Sequence, residues 1–246
     1  MSRPTKLYWL VNCASVLLAG LLFSTTLGSD SVSPEAFYIV NQALFVCLVC
    51  YLLLPDARGL AGLLTNSFAG MTLFIVLSKL TLTAAIPAHI LLQVAAVVFC
   101  LGLLLWSLAQ LFAAAFPARK NMRGTIILLV TCVTTAPLWM GPVVELQQAD
   151  NRVIDWVVSM TPLTHVSVAA EYDYLRSEWL YQNSSFGSLP FVYPGFYSIT
   201  AAYFLLVLTL QLIIRGLTRH PPDANIMELA SQKTVTGKIP EEDISR

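Results

Sequence analysis

Charge is what this chain lacks most. Only 11% of its 246 residues are Asp, Glu, Lys or Arg, and three are His, where a typical soluble domain carries about 25% charged residues. Side chains this sparse in charge cannot cover a water-exposed globule, so an ordinary soluble fold is excluded. The formal net charge is zero, with 14 basic and 14 acidic residues, which removes the electrostatic footprint of a nucleic-acid binder. No phosphate-cradling G-x-x-x-x-G-K-[ST] occurs: Gly237-Lys238 is followed by Ile239 and has no spaced glycine before it. No His, Cys, Asp and Glu cluster has metal-ligand spacing, so neither a metal nor another cofactor is expected on this chain. Glu171 and Asp173 stand two apart, which on a helix points them to different faces rather than into one catalytic pair. The loops lack cysteine. Cys13, Cys47, Cys50, Cys100 and Cys132 all fall inside apolar segments, and the C-x-x-C spacing of Cys47 and Cys50 is read as small-residue packing rather than redox chemistry.

What remains is apolar. Hydrophobic residues make up 57% of the chain and its mean hydropathy is +0.70. Runs of about 18 or more residues with few charges can each cross a ~30 Å hydrocarbon layer as a helix. Six spans are expected, at 7–27, 36–54, 68–86, 88–116, 124–144 and 195–215, separated by GSDSVSPE, LPDARG, Pro87, FPARKNMRG and YPG. The expected class is an all-α integral membrane protein with short re-entrant or interfacial helices between spans five and six. The basic start and apolar run of residues 1–27 look like a signal peptide but lack a small-residue cleavage pattern, so they are read as a retained first span.

Positive charge orients the spans. Arg3, Lys6, Arg58, Arg119, Lys120, Arg123, Arg215 and Arg219 fall on the side of the termini, against Arg152 and Arg176 on the other. The termini are therefore expected in the cytoplasm and the segment 145–194 outside. Residues 220–246 read as a cytoplasmic, disordered tail or at most a short surface helix.

That external segment is not ordinary loop. Val153, Trp156, Val157 and Met160 recur at helical spacing, Pro162 interrupts, and Val168, Tyr172, Leu175 and Trp179 resume it. Two short amphipathic helices at the outer leaflet are expected, with aromatics at headgroup depth; an ordinary interfacial loop is the alternative. Lys79 is the one charge well inside a span, so it is either a functional group facing protein or water, or a side chain snorkelling to the cytoplasmic interface. His89 is expected at the external turn. Asn41, Gln42, Gln110 and Gln211 are expected to form interhelical hydrogen bonds.

A helix ending in Met-Thr-Pro-Leu-Thr-His, Met160 to His165, after the fifth span resembles the external re-entrant segment of ABC-2 type permeases, the six-span membrane subunits of ABC exporters. The stretch PDARGLAGLLTNSFAGMTLFIVLSKL resembles that family's cytoplasmic loop: Asp56, Arg58 and Gly59, a short apolar helix Leu60 to Leu64, a small-polar break Thr65 to Ser67, then Ser78-Lys79. The resemblance covers most of residues 36–215. It departs in three places: few residues precede the first span, Ser78 stands where the family has Gly, and the tail is longer. The resemblance implies that 56–67 is a coupling helix seated in a cleft of a separate ATPase subunit. Leu60, Leu63 and Leu64 would pack there with Asp56 and Arg58 at the rim, and ATP and Mg would be bound by the partner alone. It also implies a second permease copy or a homologous permease, contact with membrane lipid, and an external gate formed by Trp156, Pro162, His165, Glu171, Tyr172 and Trp179. The host would be a bacterial inner membrane, and the substrate hydrophobic or amphipathic. A non-transporting scaffold that docks a partner on 145–194 is the alternative.

Overall fold

The computed structural model of the chain describes residues 34–54, 56, 59–81, 87–116, 123–140, 151–176 and 191–219. The first expected span, Arg58, Trp179 and the tail lie outside the described residues. Every regular element described is helical: α1 (Pro34–Leu53), α2 (Gly59–Thr81), α3 (Ala88–Ala115), α4 (Arg123–Thr134), α5 (Ala136–Trp139), α6 (Asn151–Met160), α7 (Pro162–Ala169), a 3-10 turn (Tyr174–Arg176) and α8 (Phe196–Arg219). Among them α1, α2, α3 and α8 are long and apolar enough to cross a membrane. The protein is thus an all-α membrane protein.

The central element is α3, which packs against α1, α2, α7 and α8. Val94, Val97, Val98, Leu101, Leu105 and Trp106 along it are all buried. Small residues let its neighbours approach. A Cβ placed on Gly102 would meet the Cα of Ser67 on α2 at 3.3 Å, and Gly70 of α2 faces Cys50 of α1 at 3.8 Å. Such small-residue contacts are how helices gain van der Waals packing where lipid removes the hydrophobic drive between them. Aromatic pairs fill the rest: Tyr51 and Trp106 have ring centroids 5.0 Å apart, Phe68 and Phe99 4.7 Å.

Two span boundaries differ from the sequence reading, each for a local reason. The third span was expected to start at 68 after a separate helix and a polar break, but α2 runs unbroken from Gly59. The Thr65 and Ser67 hydroxyls donate to the carbonyls of Ala61 and Leu63, one turn back, at 2.9 and 2.8 Å. Absorbed in this way, the polar residues do not interrupt the helix. The 23 residues of α2 make a rod of about 35 Å. The fifth span, expected as one helix over 124–144, is divided. Its first part, α4, has 12 residues, only about 18 Å, and α5 follows after Thr135. Pro137 has no N–H to donate back to Val133 and disfavours helical geometry in the residue before it.

Between α4 and α8 the chain folds inward. Thr161 is extended (φ −84°, ψ 121°) and Pro162 opens α7, where its fixed φ and missing N–H suit a first turn. The second short helix therefore starts at Pro162 and stops at Ala169, rather than running over 168–179 as the spacing had suggested. Its neighbours are α1, α3, α4, α6 and α8, and Thr164, Val166, Ser167 and Ala169 are buried.

Candidate functional site

Two ends of the bundle carry the sequence-predicted residues. At one end, Arg123 opens α4 and turns back across the C-terminus of α1. Its Nη1 donates to the carbonyls of Leu54 (2.9 Å), Leu52 (3.3 Å) and Tyr51 (3.4 Å), which have no partner further along the helix. Its Nε donates to Asp56 Oδ1 at 3.1 Å, and its guanidinium lies 5.1 Å from the Trp106 ring centroid and 5.8 Å from that of Tyr51. A cation at a helix C-terminus also meets the negative end of the helix dipole. The Arg123 side chain is 20% exposed and that of Asp56 80%, so the carbonyls and rings, rather than the ion pair, hold it in place.

The same end holds the start of α2. Gly59 has φ +67°, a left-handed conformation that a side chain disfavours. Its carbonyl accepts from Gln110 Nε2 at 3.2 Å, and Gln211 of α8 donates to Gln110 Oε1 at 3.1 Å and to Ser107 Oγ at 3.2 Å. These glutamines make the interhelical bonds expected of them, as does Gln42, which links to Ser78 and Thr81 of α2 at 3.1 Å each. Asn41 instead donates within its own helix to Phe37 O. Leu60 and Leu64 are 52% and 37% exposed, whereas Leu63 is 0% exposed and belongs to the core. Only two of the three leucines can therefore meet a partner. Lys79 lies in the last turn of α2 on its exposed face, near the end opposite Gly59. It thus lies near a helix end rather than mid-helix, and at the other end of α2 from the one expected for snorkelling.

At the second end sits the inserted helix α7. His165 Nε2 lies 2.7 Å from the Ser159 carbonyl of α6, and Nδ1 lies 2.6 Å from the Tyr203 hydroxyl of α8. A carbonyl only accepts, so Nε2 carries the ring proton and Nδ1 accepts from Tyr203. Burial lowers the His165 pKa from its ordinary value, opposed in part by the bond to Ser159. The imidazole is thus held neutral as a tie between three helices.

After α7 the chain reverses. Tyr172 N–H donates to Ser167 O (2.8 Å) and Glu171 N–H to Val168 O (3.2 Å), the paired bonds of a Schellman end. Glu171 occupies the left-handed position, φ 54°, usually given to glycine. Its carboxylate lies 3.5 Å from His89 Nε2 at the start of α3, with both side chains 60% exposed. Tyr172 turns inward, buried and edge-on to Phe37 with centroids 6.3 Å apart, so it is a core residue and not the interfacial anchor expected. Thr164 and Tyr174 share a 2.8 Å hydrogen bond, Tyr193 donates to Asp173 Oδ1 at 2.6 Å, and Val192 N–H donates to Asp155 Oδ1 at 2.9 Å. Burial raises the pKa of Tyr174, and burial together with its bond to Asp173 raises that of Tyr193. Trp156 is 62% exposed, on one outward strip with Val153 and Met160, while Val157 faces inward. Among the described residues no three His, Cys, Asp or Glu side chains gather as a metal site.

The residues brought together are thus Asp56, Gly59 and Arg123 at one end, and Pro162, His165, Glu171 and Tyr172 at the other. Arg123, Tyr203 and Gln211 join them without having been singled out as a site; their partners lie tens of residues away, and no local spacing marks such pairings. Comparison of the chain with protein-family models, curated proteins and solved structures finds no match in any of the three.

Proposed function

We propose that this chain is the permease subunit of an ATP-driven exporter, dimerising in the membrane and taking its energy from a separate ATPase that docks at the Leu60–Leu64 end. The observation that carries this reading is the unbroken α2 rod, which presents Leu60 and Leu64 outward at one end and packs on α3 along its length. A push on those leucines would travel along a rigid helix rather than being lost in a flexible loop. Because Asp56 is tied to Arg123, the same push would reach the end of α1 and the start of α4. The charge asymmetry supports a cytoplasmic location for this end; by the resemblance to ABC-2 permeases the membrane would be a bacterial inner membrane and α7 part of the outer gate. The partner would supply ATP and Mg, and the apolar, small-residue character of the spans suits a hydrophobic or amphipathic cargo.

The exposed strip of Val153, Trp156, Met160 and Val192 favours a second reading, in which the chain is a scaffold docking a partner on that segment. Purification of the tagged protein from its host in mild detergent, with mass spectrometry of co-purifying chains, separates the two. A stoichiometric ABC ATPase that is lost from the Leu60→Glu/Leu64→Glu variant, while the variant still purifies folded, supports the permease. Retention of the ATPase by that variant sinks the coupling assignment, and recovery of no nucleotide-binding chain at all promotes the scaffold.

A further inference from the structure

Where α1, α2 and α3 approach one another they leave a gap of about 10 Å³, lined by Cys47, Tyr51, Asn66, Ser67, Gly70 and Gly102 among others. We propose that this gap is a binding site for one ordered water that links α1 to α2 beside α3, a proposal independent of the transport reading. Two separate observations support it. The first is size: one water needs about 10–15 Å³ of such room and two to four polar partners. The second is an unmet demand. Tyr51 is 1% exposed, and its hydroxyl has no hydrogen-bond partner among the described residues.

The lining supplies the remaining partner. Ser67 Oγ spends its proton on Leu63 O at 2.8 Å, which leaves its lone pairs free to accept. A water can therefore accept from Tyr51 and donate to Ser67, the two partners that such a site requires. No charged side chain lines the gap, so an ion there would be desolvated without compensation. A dry void is the property of purely apolar cavities, and this one is lined in part by hydroxyl and amide groups. Gly70 and Gly102 keep the space open, since a side chain at either would project toward the neighbouring helix. The water would fix the register of α2 against α1, so that any sliding of α2 past α1 must break its bonds.

Tyr51→Phe tests the site by the sign of its effect. The substitution keeps the ring packed at a tilt against Trp106 and deletes only the hydroxyl. If that hydroxyl holds a water, its loss lowers the Tm by about 2–4 °C. An unchanged or raised Tm overturns the proposal, because removing a truly unpaired buried hydroxyl relieves a cost. An experimental structure in lipid, at a resolution that shows ordered solvent, provides the direct reading. A peak within hydrogen-bond reach of Tyr51 Oη and Ser67 Oγ is expected, and an empty gap between well-defined side chains overturns it.

Discussion

Arg123 turns a helix end into a joint. One guanidinium satisfies carbonyls of α1, covers Trp106 and Tyr51, and reaches Asp56. The parts are unequal, and that inequality can be measured. Arg123→Ala should lower stability by about 2–3 kcal/mol, since it strands helix-end carbonyls and removes a partly desolvated cation–π contact. Asp56→Asn should cost less than about 1 kcal/mol, as for other exposed ion pairs. Arg123→Lys should recover only part of the loss, because one ammonium cannot span the same fan of acceptors. Thermal unfolding of the three variants in one detergent ranks them. His165 gives a second prediction, with its sign fixed by burial. Its folded pKa lies below the ordinary 6.5, so the unfolded chain binds the proton more readily. The contribution is complete above about pH 6.5 and is lost as pH falls below it. Stability measured from pH 7.5 to 5 should therefore decline in the wild type, and decline less in His165→Gln. These two residues were legible to different degrees. The Pro162–His165 stretch stood out as chemistry in an apolar chain, whereas Arg123 looked like one more positive charge near a span end. Its carbonyl partners and Asp56 are distant in sequence, and periodicity does not encode contacts of that range.

At the scale of the helices, close approach decides what can change. Gly102 of α3 faces the backbone of Ser67, with a hypothetical Cβ at 3.3 Å from its Cα, while Gly70 looks across 3.8 Å to Cys50. A backbone cannot rotate away as a side chain can. Gly102→Ala should thus destabilise by about 1–3 kcal/mol through overpacking, and Gly70→Ala should be tolerated far better; the unfolding midpoints of the two single variants check this. The helices themselves were readable to different depths. α1, α3 and α8 fall close to the spans expected from hydropathy because long apolar runs leave little choice in a membrane. The start of α2 was misplaced because Thr65, Asn66 and Ser67 look like a break in the sequence, and only the hydroxyl bonds to the preceding turn show that they are accommodated. The division after α4 could have been anticipated from Pro137, whose effect was hidden by the apolar residues on both sides of it.

For the whole molecule, orientation in the membrane takes a definite form from the two ends of the bundle. Gly59 and Arg123 share one end, whereas His89, Glu171 and the start of α8 share the other. If charge asymmetry sets the topology, a cysteine at Leu60 in an otherwise cysteine-free chain should react with a membrane-impermeant maleimide only in inverted vesicles. A cysteine at Tyr197, itself 85% exposed, should react only in intact cells. The opposite pattern would reverse the sidedness and remove the docking site from the cytoplasm. The all-helical membrane class was plain from composition, but the enclosure of α7 among α1, α3, α4 and α8 was not, since burial of a polar turn depends on neighbours from both sides of it in the chain. That enclosure has a consequence for biogenesis. A ribosome delivers α1 to α4 first, α7 next and α8 last, yet His165 finds its Tyr203 partner only on α8. The cleft that receives α7 must therefore stay unsealed until the final helix has left the translocon. A chain truncated before Phe196 would present an unsheltered imidazole and hydroxyls within the lipid, a mark by which quality-control proteases can recognise an unfinished copy.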